Sequence, residues 1–224
     1  MCNLYNHDFW DFIVENVFKN KIPDILEPYL DGNNLYILSG INRDFLLYKE
    51  KCDVRDIDFV VDSKIEISDS LLKKYQGKIN SFGGVKLNVR GISIDLWSLE
   101  KTWGIVEQQK EPSIDSLLGS VFFNCTAIVY DVSNRCFIKT KDFDSFMEKK
   151  ILDIVYENNP NIPLCIVNTF LYCEKYNLKI SNHLKEWLIE MDKNVEDYEN
   201  LEYKHYKKIV YSNEVIKKYI KDIK

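Results

Sequence analysis

Apolar and polar residues alternate along this chain in two different periods, and the change of period divides it. Phe9, Phe12, Ile13, Val17 and Phe18 form one helical stripe over residues 8–19, which predicts an N-terminal helix packed on a sheet. Residues 35–38 are a short apolar run that reads as a strand. Residues 42–48 follow as a helix, begun by a Ser39-Gly40 turn. Residues 57–61 are almost wholly apolar, as in a strand buried on both faces. Ser68 and Asp69 cap a helix that runs to about Tyr75. Residues 86–89 and 92–97 form a hairpin around Arg90-Gly91. Ser113 and Asp115 open a further short helix, and residues 125–130 and 135–139 read as strands. After about Lys141 the pattern is helical, over 143–149, 164–176 and 183–191, and then in a lysine-rich tail. The prolines of Asn158-Asn159-Pro160-Asn161-Ile162-Pro163 make the clearest break. The expected architecture is α+β: a head over residues 1–150, with a mixed sheet flanked by helices, and a small helical neck over 151–224.

Composition narrows the class. A chain of 224 residues with 46% hydrophobic and 13% aromatic residues can bury a proper core and is not a disordered segment. No apolar run approaches the ~20 residues that span a bilayer. The first residues lack the basic start and apolar stretch of a signal peptide. Six scattered cysteines without a CxxC pair suggest free thiols in a reduced, cytoplasmic protein. The three histidines do not stand at zinc-ligand spacing with them.

A net charge of −5 argues against a general nucleic-acid coat. From Tyr203 to the C-terminus, seven lysines stand against two acids, with Tyr203, Tyr206, Tyr211 and Tyr219 interleaved. Such a segment either grips a phosphate backbone or forms a terminal amphipathic helix with its tyrosines packed inward. Tyr206, Val210, Ile216 and Ile220, near helical spacing, favour the second.

The chemistry concentrates in three aspartates. Asp56 and Asp58 stand at i and i+2 of a strand and project to one face; Asp95 lies on the second arm of the hairpin. Crowded carboxylates repel one another unless a cation neutralises them, and an all-oxygen ligand set favours Mg²⁺ or Mn²⁺. Arg55, Lys86 and Arg90 are the alternative partners for these acids. Ser39 and Gly40 would present backbone N–H groups to a phosphate at a helix start, and Gly40 would let the main chain approach it closely. Arg43, one turn on, would reach a phosphate or lock Asp44. Gly83 and Gly84 precede the hairpin as a bulge or as a close approach to ligand. Asp131 is assigned to a turn, and Trp97 and Trp103 to packing.

This order of motifs resembles the nucleotidyltransferase superfamily, and within it the head domain of poly(A) polymerases and CCA-adding enzymes. The family's Gly-Gly-x-x-Arg-Asp-x-Leu-Leu is matched by Ser39-Gly40-Ile41-Asn42-Arg43-Asp44-Phe45-Leu46-Leu47, with serine for the first glycine. Asp56-Ile57-Asp58 matches its Asp-x-Asp, and Ile94-Asp95-Leu96 after Phe82-Gly83-Gly84 is similar to the third element. Phe123-Asn124-Cys125-Thr126-Ala127-Ile128-Val129-Tyr130-Asp131 is similar to its Phe-Thr-Ile-Asn-Ala-Leu-Ala-Tyr-Asp. The resemblance covers roughly residues 35–180. It implies a nucleotidyltransferase-like fold that moves a nucleoside monophosphate from an NTP to a hydroxyl acceptor, releasing pyrophosphate.

Residue by residue, the resemblance makes Asp56, Asp58 and Asp95 the catalytic metal ligands, and Ser39, Gly40 and Arg43 the nucleotide-binding residues. An RNA 3′ end such as that of tRNA is the favoured acceptor, and a toxin or defence enzyme acting on RNA is also consistent. The chain departs from the pattern at Ser120-Val121-Phe122, where the family has Arg-Arg-Asp, and at Glu100, where it has arginine. Residues 162–170 also lack the Asp and Arg with which CCA-adding enzymes read the incoming base. The competing expectations are a non-catalytic nucleotide- or RNA-binding module that retains the head fold, and a small-molecule nucleotidyltransferase.

Overall fold

The computed structural model describes residues 4–30, 34–38, 40–80 and 82–223. The chain forms two compact units, Met1–Val121 with Cys125–Phe143, and Phe122–Asn124 with Asp144–Lys224.

The first unit is a mixed sheet with helices on both faces. In chain order its elements are β1 (Leu4–Tyr5), α1 (Asp8–Phe12), β2 (Leu35–Leu38), α2 (Gly40–Tyr48), β3 (Asp56–Val61), α3 (Asp69–Lys74), β4 (Lys78–Ile79), β5 (Val85–Val89), β6 (Ile92–Ser98), α4 (Trp103–Glu107), α5 (Ile114–Leu118), β7 (Ile128–Asp131) and β8 (Cys136–Lys139). The helix α6 (Lys141–Lys149) follows, and the division between the units falls within it. Among the described residues the sheet has eight strands, in the order β1-β8-β7-β2-β3-β6-β5-β4. Every neighbouring pair is antiparallel except β3 and β6, which run parallel in register Asp56↔Ser93 to Val61↔Ser98. A parallel pair needs a crossover, and here α3 and the β4–β5 hairpin supply it.

Side-chain alternation gives the sheet two unlike faces. Ile57, Phe59, Ile94, Leu96, Tyr130 and Phe137 are fully buried on one, beneath α1 and α2. The Phe9 ring of α1 lies 4.9 Å from Phe45 of α2 and 4.8 Å from Tyr130. Burial of each such ring contributes roughly 1.5–3 kcal/mol. On the other face Tyr36, Leu38, Val60 and Val129 are closed over by Ile105 of α4 and Leu117 and Leu118 of α5, with Trp97 against the cluster. Asp58 and Asp95, the next residues along that face, are half-buried.

The second unit is mainly helical: a two-stranded parallel pair of β9 (Ile151–Leu152) and β10 (Lys179–Ile180), with α7 (Ile162–Tyr176), α8 (Asn182–Met191), α9 (Tyr198–Tyr206) and α10 (Asn213–Asp222). Pro163 sits in the first turn of α7, where its missing N–H costs nothing. The lysine-rich tail departs from the single terminal helix that the spacing suggests. Lys207 takes a left-handed φ of 59°, and buried Glu202 accepts from the Val210 and Tyr211 N–H groups, so the chain turns and restarts as α10. Its tyrosines pack inward: the Tyr211 and Tyr219 hydroxyls donate to Glu174 at 2.6 and 3.0 Å, and Tyr206 to Asn168 at 2.5 Å. Tyr203 is the exception, 60% exposed.

Three further sequence expectations are corrected. The N-terminal helix closes through a π-helical stretch, Ile13–Val17, and breaks at Lys19 and Asn20, both left-handed at φ 53° and 61°. The strand expected over 125–130 begins only at Ile128. Asn124 bonds to residues 151 and 153, through its side-chain amide to the Ile151 carbonyl at 3.0 Å and its N–H to Asp153, and Asn124–Thr126 is a 3₁₀ turn. Cys52, Cys125, Cys165 and Cys173 are free thiols, whereas Cys136 is disulfide-bonded and departs from the all-thiol expectation. Among the described residues no helix is long and apolar enough to cross a membrane.

Candidate active site

The parallel register of β3 and β6 builds the site. Asp58 stands directly beside Asp95, and Asp56, two residues earlier, projects to the same face. Antiparallel pairing extends that row to Leu38 of β2 on one side and Lys86 of β5 on the other. The Arg90-Gly91 hairpin sets the register of β6 against β5. Both residues take positive φ, 55° and 87°, the turn that matches strand twist, and the Asn88 side chain accepts from the Gly91 N–H at 2.9 Å. A slip of one residue would turn Asp95 to the opposite face.

The three carboxylates differ in their surroundings. Asp56 is held by Arg55 at 2.7 Å and Asp95 by Lys86 at 3.0 Å, both in partly exposed ion pairs. Asp58 lies between them. Burial, and then the charges of Asp56 and Asp95, push its carboxyl up to about 7, against the weaker opposing pull of Lys86 and Arg55. The basic partners considered from the sequence are therefore real for Asp56 and Asp95. Arg90 instead donates to the Phe18 carbonyl.

The chemistry of this donor set fits a hard divalent cation: oxygen ligands, adjacent, with one acid strained by its neighbours' negative charge. Among the described residues no three acidic, histidine or cysteine side chains are already drawn into a ligand cluster.

Gly40 opens α2 two residues after Leu38, the partner of Asp58, and so stands at the Asp56 end of the row. Among the described residues, a Cβ added there would meet the Arg43 guanidinium alone, at 3.6 Å, an ordinary contact. Neither backbone strain nor protein crowding requires glycine at this position. Ser39 lies outside the described residues. Arg43 is turned inward: 3% exposed, it donates through Nε to Asp44 at 2.8 Å and through a terminal nitrogen toward the Cys125 sulfur at 3.6 Å. Arg43 thus locks Asp44, one of the two roles the sequence left open for it.

Asn42 was missed as a positioning residue. Fully buried, it donates to the Ile37 carbonyl at 2.7 Å and the Ile128 carbonyl at 3.3 Å, pinning the start of α2 to β2 and β7. A polar residue inside an apolar helical stripe was the available signal.

Gly83 and Gly84 belong to the β4–β5 turn. Gly83 has φ 80°, and a Cβ on Gly84 would come within 3.1 Å of Trp97 Cβ. Asn80 accepts from the Phe82 and Gly84 N–H groups to close that turn. Asp131 likewise accepts from the backbone and side chain of Asn134, a turn role. Trp97 donates to Thr102 at 3.0 Å and packs against the core.

No protein-family model and no curated protein matches this sequence. Solved structures do. A CCA-adding enzyme in complex with ATP superposes with a TM-score of 0.60 at 15% identity, over 89% of this chain and 48% of that one. The Thermotoga maritima CCA-adding enzyme complexed with tRNA gives 0.59 at 16%, over 86% and 46%. A tRNA nucleotidyltransferase with a primer tRNA and an incoming ATP analogue gives 0.57 at 20%, over 79% and 52%. The chain spans about half the length of these proteins. Its fold is nucleotidyltransferase-like, related to their head domain.

Proposed function

We propose that this protein is a divalent-metal-dependent nucleotidyltransferase that moves a nucleoside monophosphate from an NTP to a hydroxyl acceptor, with an RNA 3′ end favoured. The observation that carries this is the row in which Asp58 and Asp95 stand side by side on neighbouring strands with Asp56 on the same face. Mg²⁺ or Mn²⁺ held by these three aspartates would neutralise them, activate the attacking hydroxyl and stabilise the departing pyrophosphate. Asp95, paired with a largely exposed lysine, orients the acceptor hydroxyl and takes its proton. Asp56 and Asp58 would hold the ion that carries the triphosphate, and the backbone at the start of α2 approaches the phosphates. The buried Arg43–Asp44 pair and Asn42 hold α2 in place for that contact.

The test is incubation of the protein with each α-³²P-labelled NTP, Mg²⁺ and total RNA, resolved on a gel. Label on a discrete RNA band, lost in Asp95→Asn, is the expected result. Label on protein or on a small molecule redirects the acceptor. No label under any condition favours the second reading, a non-catalytic nucleotide- or RNA-binding module, to which the Arg55 and Lys86 ion pairs lend support because they neutralise two of the acids without a metal.

Gly40→Ala separates the two readings of that glycine. The added methyl has room in the protein and suits a helix better than glycine does, so melting is unchanged or raised by roughly 0.5–1 kcal/mol. The KM for NTP rises several-fold if a triphosphate lies against this backbone. An unchanged KM would make the glycine a plain strand-to-helix turn.

A further inference from the structure

At the Asp56 end of the sheet, on the edge away from the carboxylate face, two clefts adjoin across Arg90. The larger, about 300 Å³, has Phe12, Val17 and Ile92 in its floor and Lys19 and Arg90 on its rim. The smaller, about 170 Å³, has Pro23, Tyr75 and Val89 in its floor and Lys21 and Arg90 beside them. Neither is lined by a carboxylate. Lys74 also lines the second, but Asp24 neutralises it at 2.6 Å. Lys19 and Lys21 are exposed and have no acidic partner among the described residues. The chain turns through left-handed Lys19 and Asn20, and Arg90 donates to the Phe18 carbonyl beside that turn.

We infer that this double cleft is a binding groove for a single-stranded nucleic acid, specifically an RNA strand. Apolar floors separated by a guanidinium and edged by lysines match the alternation of base and phosphate along an unpaired strand. A duplex would keep its bases from both floors. That a chain of net charge −5 gathers three cations here, with no acid lining the clefts, makes the patch a local exception to its surface. Arg90 lies five residues before Asp95, about 16 Å along the strand direction at ~3.3 Å per residue. The N–H of Ser93, between them, donates to the Arg55 carbonyl at 3.3 Å, tying the hairpin tip to the segment that leads into Asp56. The groove would therefore hold nucleotides a short distance upstream of an acceptor 3′ end. Only this last role rests on the transferase reading.

The test is fluorescence anisotropy of a short, unstructured, 5′-labelled RNA with the purified full chain in EDTA and without NTP, over a salt series. Lys19→Glu/Lys21→Glu removes no side-chain hydrogen bond among the described residues, and Arg90→Glu is checked for folding by thermal melting. Both are expected to weaken binding roughly tenfold or more, and the double variant to flatten the log K against log salt slope by about 1.4, at ~0.7 for each phosphate that a lysine no longer neutralises. The charge-matched control Lys64→Glu/Lys110→Glu should move neither quantity beyond a general charge effect. Equal affinity and slope in all variants overturn the proposal, as does displacement of the RNA by free AMP at comparable concentration, which would make the cleft a mononucleotide site. RNA held in the groove while no NTP is ever incorporated leaves this inference standing and removes the transferase. Incorporation into RNA with an unchanged acceptor KM in Lys19→Glu/Lys21→Glu does the reverse.

Discussion

Asp58→Asn is expected to reduce nucleotidyl transfer by at least 10²–10³-fold, on the order seen when one preorganised electrostatic group is removed from an active site, and at the same time to raise the melting temperature of the metal-free protein. The two effects have one cause. Asp58 is crowded between Asp56 and Asp95, and its carboxyl is pushed from 3.8 up to about 7. A carboxyl whose pKa is raised by folding binds its proton more tightly in the native state. Between about pH 4 and pH 7 the native state thus holds more protons than the unfolded state, and stability falls as pH rises through that window. Asparagine has no charge to lose. The variant's advantage over wild type should therefore be small near pH 4, grow through pH 7 and then level off. Discounted for the solvent at a half-buried side chain, the gain at pH 8 is about 1–2 kcal/mol, a few degrees in Tm. Excess Mg²⁺ should narrow the gap by stabilising only the wild type. Melting curves from pH 4 to 8, with EDTA and with Mg²⁺, check this. A variant less stable than wild type at pH 8 in EDTA would show that the aspartate is held as an ordinary structural anion.

The second large effect concerns Asp44, the buried partner of Arg43. Arg43 and Asp44 are 3% and 7% exposed and are joined at 2.8 Å. Asp44→Ala removes the charged partner of a buried guanidinium and should cost about 3–5 kcal/mol. For a chain of this size that lowers Tm by roughly 10 °C. Removing both charges in Arg43→Met/Asp44→Leu should recover most of the loss, because apolar replacements of similar volume fill the site without an unpaired ion. The double variant also tests function: if the pair only braces α2, KM for NTP changes little once stability is restored. A loss of NTP binding that persists in the refolded double variant would give Arg43 a direct part in holding phosphate.

The central strand, the hairpin around Arg90-Gly91 and the helix starting at Gly40 were all legible from the residues, because each depends on short-range rules. An unbroken apolar run is buried, two successive residues suited to positive φ make a tight turn, and serine at a helix start, as at Ser68 and Ser113, caps it. The tail and the 124–126 turn were not legible. The partners that decide them, Glu202 for the Val210 and Tyr211 N–H groups and residues 151 and 153 for Asn124, lie too far along the chain for a local pattern to reveal.

The same division runs through the candidate site. Sequence alone determined that Asp56 and Asp58 share a face, since the pleat repeats every two residues, and that Asp95 belongs to a strand opened by a fixed turn. Only the tertiary structure decided that β3 and β6 lie side by side and parallel, which brings Asp95 level with Asp58, and that Lys86 arrives from β5 to face it. It likewise turned Arg43 inward to Asp44 and joined two clefts across Arg90. These are pairings between residues far apart in the chain, set by which strands the sheet places together, and neither periodicity nor turn chemistry carries that information.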